Sequence, residues 1–207
     1  AGYYRVHLDD PNVDVELIAT ARVGMQRYRF AKTAERSITL DLRHRDRLLA
    51  SSIHQSGPSE IVGERRSSSW AHDQHLFFCI RIDRKVQLDK DLSDSTKAVI
   101  ILPSDSSVVL VKVGISAVSI DGARKNLEAE VPGWDFDAVR KQAEETWNKE
   151  LGRIQVQGGT TDQQRIFYTA LYHSLLVPYI FNDVDHKYRG NDGKVRTADH
   201  DEYTVFS

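Results

Sequence analysis

Cysteine is nearly missing from this chain, with one residue, Cys79, in 207. A lone thiol excludes an internal disulfide and a multi-cysteine zinc site, and it leaves the compartment open. Excess charge of either sign is also missing, since the formal net charge is −2. That balance argues against bulk electrostatic capture of nucleic acid or of an anionic membrane surface. No apolar run approaches membrane-spanning length, and the longest, Ala98 to Leu102, fits a buried strand. No signal peptide is visible. Neither a G-x-S-x-G elbow nor a Walker lysine is found, which leaves no motif for serine hydrolysis or nucleotide binding. What is present is ordinary for a globular protein, with 40% hydrophobic and 28% charged residues. The chain opens on Ala1 and stops at Ser207 behind the extended run YTVFS, so it reads as an excerpt of a larger protein.

The first half alternates with period two. Val13, Val15, Leu17 and Ala19 alternate with Asp14, Glu16, Ile18 and Thr20. Tyr28 and Phe30 share a face, as do Ile38, Leu40 and Leu42, and as do Leu76, Phe78, Ile80 and Ile82. Two apolar runs, Ala98–Leu102 and Val108–Val113, flank the turn-forming Pro103–Ser107. Many short strands without intervening helices predict a mainly β, antiparallel β-sandwich and not a βαβ fold. Cys79, within an apolar strand, is expected to be an inert buried thiol.

Past Gly122 the period changes. Ala123 to Glu130 is ambiguous, with a short helix as one reading, and Pro132-Gly133 marks a boundary. Phe136, Val139, Ala143, Trp147 and Leu151 then recur at three- and four-residue steps, the stripe of an amphipathic linker helix with Asp135 as N-cap. An extended piece, Arg153–Gln157, leads through Gly158-Gly159 into a second helix. There Thr161 and Gln164 have the spacing of a capping box, and Pro178 stops the run. Its expected buried face is Ile166, Phe167, Ala170, Leu171 and Leu175. The expected division is a β-sandwich over residues 1–122, a linker with the bridging helix over 123–159, and the opening of an α-helical domain over 160–207.

Candidate chemistry is sparse. The polar stretch Asn182–Glu202 is long for a plain connection, and loops of that length are commonly functional. Asp183, Asp185, Asp192, Asp199 and Asp201 could bind a cation or act as acids. An EF-hand register fails, with Lys187 in the fifth position and Tyr188 where glycine is needed, so solvated turn aspartates are the expectation. A small hairpin is predicted about Arg189–Gly193. His72 and His75 are three apart without a third ligand at a recognisable spacing. His173 is expected to be a hydrogen-bonded core or interface residue. Ser67-Ser68-Ser69 reads as loop. Gly158-Gly159-Thr160-Thr161 could bind an anion at a helix start, but capping is the simpler role. Among the tryptophans, Trp147 belongs to the core and Trp134 seals the junction. Trp70, behind a loop, could stack on a sugar ring.

The residues themselves stop at a sandwich joined by a helix to an α domain. The run LVKVGISAVSIDGARKNLEAEVPGWDFDAVRKQAEETWNKEL, with FYTALYHSLLVPYIFNDVDHKYRG and YTVFS, goes further: it resembles glycoside hydrolase family 92. GYYRVHL, VELIATARVGMQRYRF and RRSSSWAHDQHLFF resemble that family's sandwich strands. The resemblance implies an exo-acting, calcium-dependent α-mannosidase, α-1,2 in type, that cleaves N-glycans or mannans with inversion. It implies a sandwich, linker helices and an (α/α)6 barrel, of which 160–207 would be the truncated start. It places the general acid, the general base, a Leu-Trp-Asp-Thr-Phe-Arg motif and the calcium ligands beyond Ser207, so no catalytic or metal residue is assigned and the excerpt alone should be inactive. Secretion or a periplasmic location follows by the same resemblance, with mannose-containing glycans as partners and neither nucleic acid nor membrane. The first barrel loop, Asn182–Ser207, would lie at the mouth that receives substrate. On that topological argument Asp199, Tyr203, Phe206 and Ser207 are the substrate-side candidates. Two readings compete: a noncatalytic carbohydrate-binding or structural sandwich, and a disaccharide phosphorylase, which would need a basic phosphate site the sequence does not show.

Overall fold

The computed structural model describes residues 1–31, 36–105 and 107–205. The strands are β1 (Tyr3–Leu8), β2 (Val13–Ala19), β3 (Val23–Phe30), β4 (Ser37–Asp41), β5 (Arg47–Gly57), β6 (Glu60–Ser68), β7 (Gln74–Ile82), β8 (Gln87–Leu88), β9 (Lys97–Ile101) and β10 (Val108–Ser116). Three helices follow, α1 (Ile120–Glu130), α2 (Phe136–Leu151) and α3 (Thr161–Ser174). Four short strands come last, β11 (Tyr179–Ile180), β12 (Lys187–Arg189), β13 (Val195–Thr197) and β14 (Tyr203–Thr204).

A seven-stranded antiparallel sheet runs in the order β1-β2-β3-β10-β7-β6-β5, and a three-stranded sheet in the order β4-β9-β8. The alternation explains the layers. Val13 and Val15 of β2, Phe78, Ile80 and Ile82 of β7, and Val109 and Val111 of β10 face the small sheet, where they meet Ile100 and Leu102. The opposite faces of the same strands carry Ile18, Cys79 and, partly buried, Leu110, which pack with Met25, Val62, Ala123, Leu127 and Phe136 beneath the helices. The expected sandwich is therefore present, and its large sheet is covered on both faces. Each fully buried Ile, Leu or Phe in these layers contributes roughly 1.5–3 kcal/mol.

α1 settles the ambiguous stretch as helix. Ser119 caps it by accepting from the Gly122 amide at 3.0 Å, and Ala123, Asn126 and Leu127 form its buried stripe. The helix lies close because β10 offers Gly114, where a Cβ would stand 2.4 Å from the Ala123 carbonyl oxygen. Lys112, 2% exposed, donates to the carbonyls of Val131 (2.9 Å) and Gly133 (3.1 Å), with its ammonium 4.2 Å from the Trp134 ring centre. Cations suit a helix C-terminus and an aromatic face. Trp134 thus seals the junction as expected. α2 is capped by Asp135, which accepts from the Ala138 amide at 3.0 Å. Phe136 at its start lies under the Arg27 guanidinium at 4.1 Å, and Arg27 in turn pairs with buried Glu16 at 2.6 Å.

Several expectations shift. The capping box sits one residue earlier, with Thr160 and Gln163 exchanging side-chain and backbone bonds, because Thr160 and not Thr161 has the extended N-cap conformation. The extended piece Arg153–Gln157 joins no sheet among the described residues. Ser67 and Ser68 belong to β6, and Ser67 is buried as the acceptor of a 2.7 Å bond from Arg65. Trp147 is half-buried, edge-on to Tyr172 at 4.7 Å, instead of core. His173 is exposed. Most clearly, no residue of α3 is buried, and Ile166 is 68% exposed. The apolar stripe exists, and among the described residues α2 and the Ile154 carbonyl lie against this helix.

Candidate functional site

The polar stretch after α3 is docked against the sandwich. α3 ends at Ser174 with Leu175 as its C-cap, ahead of Pro178, and Tyr179-Ile180 pairs with Tyr203-Thr204 as the ladder β11–β14. Between them β12 and β13 form the predicted hairpin, in register Lys187–Thr197, Tyr188–Arg196 and Arg189–Val195. Arg189 then reaches back to donate to the carbonyls of Ala117 (2.9 Å) and Val118 (3.0 Å), just after β10.

At the root of this segment stand Asn182 and Asp183, each 2% exposed. The Asp183 carboxylate accepts from Ser116 Oγ at 2.6 Å and from Asn126 Nδ2 at 2.8 Å. It lies on the first turn of α1, where the helix dipole favours an anion. Gly122 makes room: a Cβ there would be 2.2 Å from Asp183 Oδ2. Burial nevertheless pushes the Asp183 carboxyl up from its ordinary value, outweighing these hydrogen bonds. Asn126 uses its other atom as well, since Oδ1 accepts from the Val184 amide at 2.9 Å. Asn182 accepts at its carbonyl from Arg22 Nε (2.6 Å) and at its side chain from the Glu202 amide (3.1 Å). Arg22 is itself held by Glu130 at 2.8 Å.

Asp185 and Asp192 are engaged in pairs. Asp185 binds Lys125 (2.8 Å) and Lys187 (3.2 Å), and the Lys125 hydrogen bond holds its carboxyl below the usual range. Asp192 is paired with Arg196, which lowers it further. Solvated turn aspartates were therefore the wrong expectation for Asp183, and incomplete for Asp185. Asp192 and Asp199 stay on the surface.

The substrate-side candidates separate. The side chain of Asp199 is fully exposed and 2.6 Å from His200 Nδ1, a pairing that lowers the acid and raises the imidazole. Tyr203 is 58% exposed on β14, opposite Ile180. Tyr203 is on the β11–β14 ladder and Asp199 in the bend before it, with no hydrogen bond between them among the described residues. Phe206 and Ser207 lie outside the described residues.

Elsewhere, His75 pairs with Glu64 at 2.7 Å and Cys79 is fully buried, its thiol pushed up to about 12 by burial. Trp70 is 79% exposed in the turn between β6 and β7. Among the described residues no three His, Cys, Asp or Glu side chains converge to hold a metal. Calcium therefore finds no fitting ligand set among the described residues. No helix of the described residues is long and apolar enough to cross a membrane.

Residues 1–116 match the glycosyl hydrolase family 92 N-terminal domain, and residues 122–207 match the family 92 catalytic domain. The chain belongs to glycosyl hydrolase family 92. Among solved structures, the family GH92 α-mannosidase BT3965 from Bacteroides thetaiotaomicron superposes with a TM-score of 0.88 at 29% identity, over 99% of this chain and 31% of that one. The inverting family GH92 mannosidase BT2199 of B. thetaiotaomicron VPI-5482 has the same fold, with a TM-score of 0.82 at 22% identity over 98% of this chain and 29% of that one. A protein of Arthroderma benhamiae described as an uncharacterized secreted glycosidase is 45% identical over 74 residues, 34% of this chain and 10% of its own length. The chain spans less than a third of the length of each of these relatives.

Proposed function

We propose that the full-length protein is a secreted exo-α-mannosidase acting on α-1,2-linked mannose of N-glycans or mannans, with this chain supplying its sandwich, linker and the first turn into an (α/α)6 catalytic barrel. The observation that carries this reading is the paired family match, sandwich and catalytic domain in tandem, on a fold that superposes throughout on an α-mannosidase. The same mannosidase has also been solved in complex with mannoimidazole, which supports a mannose-type ring as the ligand class.

The reaction in this proposal is inversion by single displacement. One carboxylic acid protonates the departing oxygen while a carboxylate on the opposite face activates water. Those two groups belong to the remainder of the barrel, so the 207 residues alone are inactive in this reading. Calcium belongs to the proposal too, with ligands outside this chain. Within the chain, Asp199, Tyr203, Phe206 and Ser207 form part of the substrate rim, and Trp70 offers a second aromatic face for a sugar. Assay of the full-length protein on α-linked mannobioses, with the product anomer followed by NMR, tests the reading. Release of β-mannose from the α-1,2 disaccharide, abolished by a chelator, is the expected result. No hydrolysis of any α-mannoside would sink the proposal.

The alternative of a noncatalytic carbohydrate-binding sandwich has less support, because the catalytic-domain match takes up where the sandwich ends.

A further inference from the structure

We infer that Asp183 is a positioning residue for the substrate side of this enzyme, a carboxylate buried between β10 and α1 that fixes the segment carrying Asp199 and Tyr203 to the sandwich. The inference rests on the proposed function for the word substrate, and on geometry for the rest. The hydrogen bonds form a closed path. Ser116 and Asn126 hold the carboxylate, and the Asp183 amide donates to the Lys187 carbonyl at 2.8 Å. Next door, Arg22 holds the Asn182 carbonyl, and the Asn182 side chain receives the Glu202 amide, one residue before Tyr203. The Glu202 carbonyl closes the path by accepting from the Phe181 amide at 2.8 Å. β14 is therefore tied to α1 and β10 through two adjacent side chains, in addition to its ladder with Tyr179 and Ile180.

Charge burial makes a purely stabilising role a poor account of this residue. A buried carboxylate loses its hydration, and an apolar group of like size generally supports a fold as well or better. What the carboxylate supplies is a unique seating, because both oxygens must meet fixed donors. A cavity of about 60 Å³ beside it is lined by Arg22, Ser116, Asn126 and Asn182 and by the apolar Leu76, Ile115 and Ile180, and the polar contacts fix the orientation of the segment's root within it. Gly122 shows the same requirement from the other side, since any side chain there would displace Oδ2.

The test uses the full-length protein with Asp183→Ala, Asp183→Asn and Gly122→Ala. Hydrogen exchange is followed at the amides of Ile180, Glu202 and Tyr203, with Val109–Val113 of β10 as the internal reference. In Asp183→Ala those three amides should exchange at least about tenfold faster while β10 is unchanged. KM for the α-1,2-mannobiose should rise about tenfold with kcat within about twofold. Asp183→Asn, which keeps one acceptor, should return KM to within about threefold of wild type, and Gly122→Ala should reproduce the alanine variant. Should Asp183→Ala not fold, Gly122→Ala and Ser116→Ala carry the same measurements. Unchanged exchange overturns the inference. So does faster exchange with unaltered KM, which would make the contact structural only. If the wild type cleaves no α-mannoside, the substrate role falls with the functional reading, and the exchange contrast still decides whether Asp183 orders the segment.

Discussion

The sandwich with α1 and the segment from α3 onward are held by opposite means. In the first, apolar side chains are buried on both faces of one sheet, and polar groups such as Lys112 and Glu16 are accommodated within that frame. In the second, no residue of α3 is fully buried, and the best-buried residues, Asn182 and Asp183, are polar. The first region can be stable on its own contacts. The second has a fixed address, given by directional bonds, without the apolar burial that would make it rigid. Hydrogen bonds specify where a segment sits more than they add net stability, and here that division of labour runs along the chain.

The largest expected effect lies in the first region. Leu127→Ala removes a fully buried side chain and should lower the stability of the chain by about 3–4 kcal/mol in urea titration. Leu171→Ala on α3 should change it by less than about 0.5 kcal/mol. Equal losses would erase the contrast.

Acid should separate the two regions next. Hydrogen bonding from Arg27 holds Glu16 at about 2, below its unfolded value. Its contribution is therefore present above about pH 4.5 and lost as the pH falls toward 2, on the order of 3 kcal/mol at most. Glu60 has the same sign: burial works against it, yet bonds from Arg81, Ser56 and Arg124 keep it at about 2. Asp183 has the opposite sign. Burial raises it, so its contribution favours the fold at low pH and is lost as the pH rises through its folded value. Urea midpoints at pH 5 and pH 3 should show the sandwich weakening, and Glu16→Gln should remove part of that slope. An acid-insensitive midpoint would contradict the assignment.

Smaller still is the cap. Thr160→Ala removes the acceptor of the Gln163 amide and half of the box, at a cost of about 1 kcal/mol to α3, read as lost helicity by circular dichroism without a change in the main unfolding midpoint. The smallest effect on stability should come from Ile166→Ser, below about 0.5 kcal/mol. Its readout is association: exposed α3 and the neighbouring Leu175, Leu176 and Val177 form an apolar surface that should make the 207-residue chain self-associate in sedimentation. The serine variant should reduce it. A monodisperse wild-type chain would show that the surface is harmless.

Legibility in the sequence follows the same division. Strands such as β2, β7 and β10 were readable because one face had to be apolar, and the alternation in Val13-Asp14-Val15 or Phe78-Cys79-Ile80 records it. β5 went unread: Ser51, Ser52, His54 and Gln55 lie on an edge strand that buries none of its residues, so selection left no period to detect. α2 and α3 were placed by cap and stripe, but the stripe of α3 shows only that a partner is suited to it, not which one. The seat of Asp183 was unreadable in principle. Ser116, Gly122 and Asn126 are about 60 residues upstream, and no local rule connects a glycine in a helix's first turn to an acid that distant. Asp199 and Tyr203 were named from topology, and the structure places Tyr203 on a ladder and Asp199 in the bend before it without joining them.

Lys112 and Trp134 carry a practical corollary. The ammonium rests against the indole at the point where the last sheet strand, the end of the first helix and the start of the second come together. Indole emission responds to a neighbouring charge, so this pair is a built-in optical gauge of the joint between sandwich and helices. Any strain that slides one past the other would register as a change of colour before either part had begun to melt.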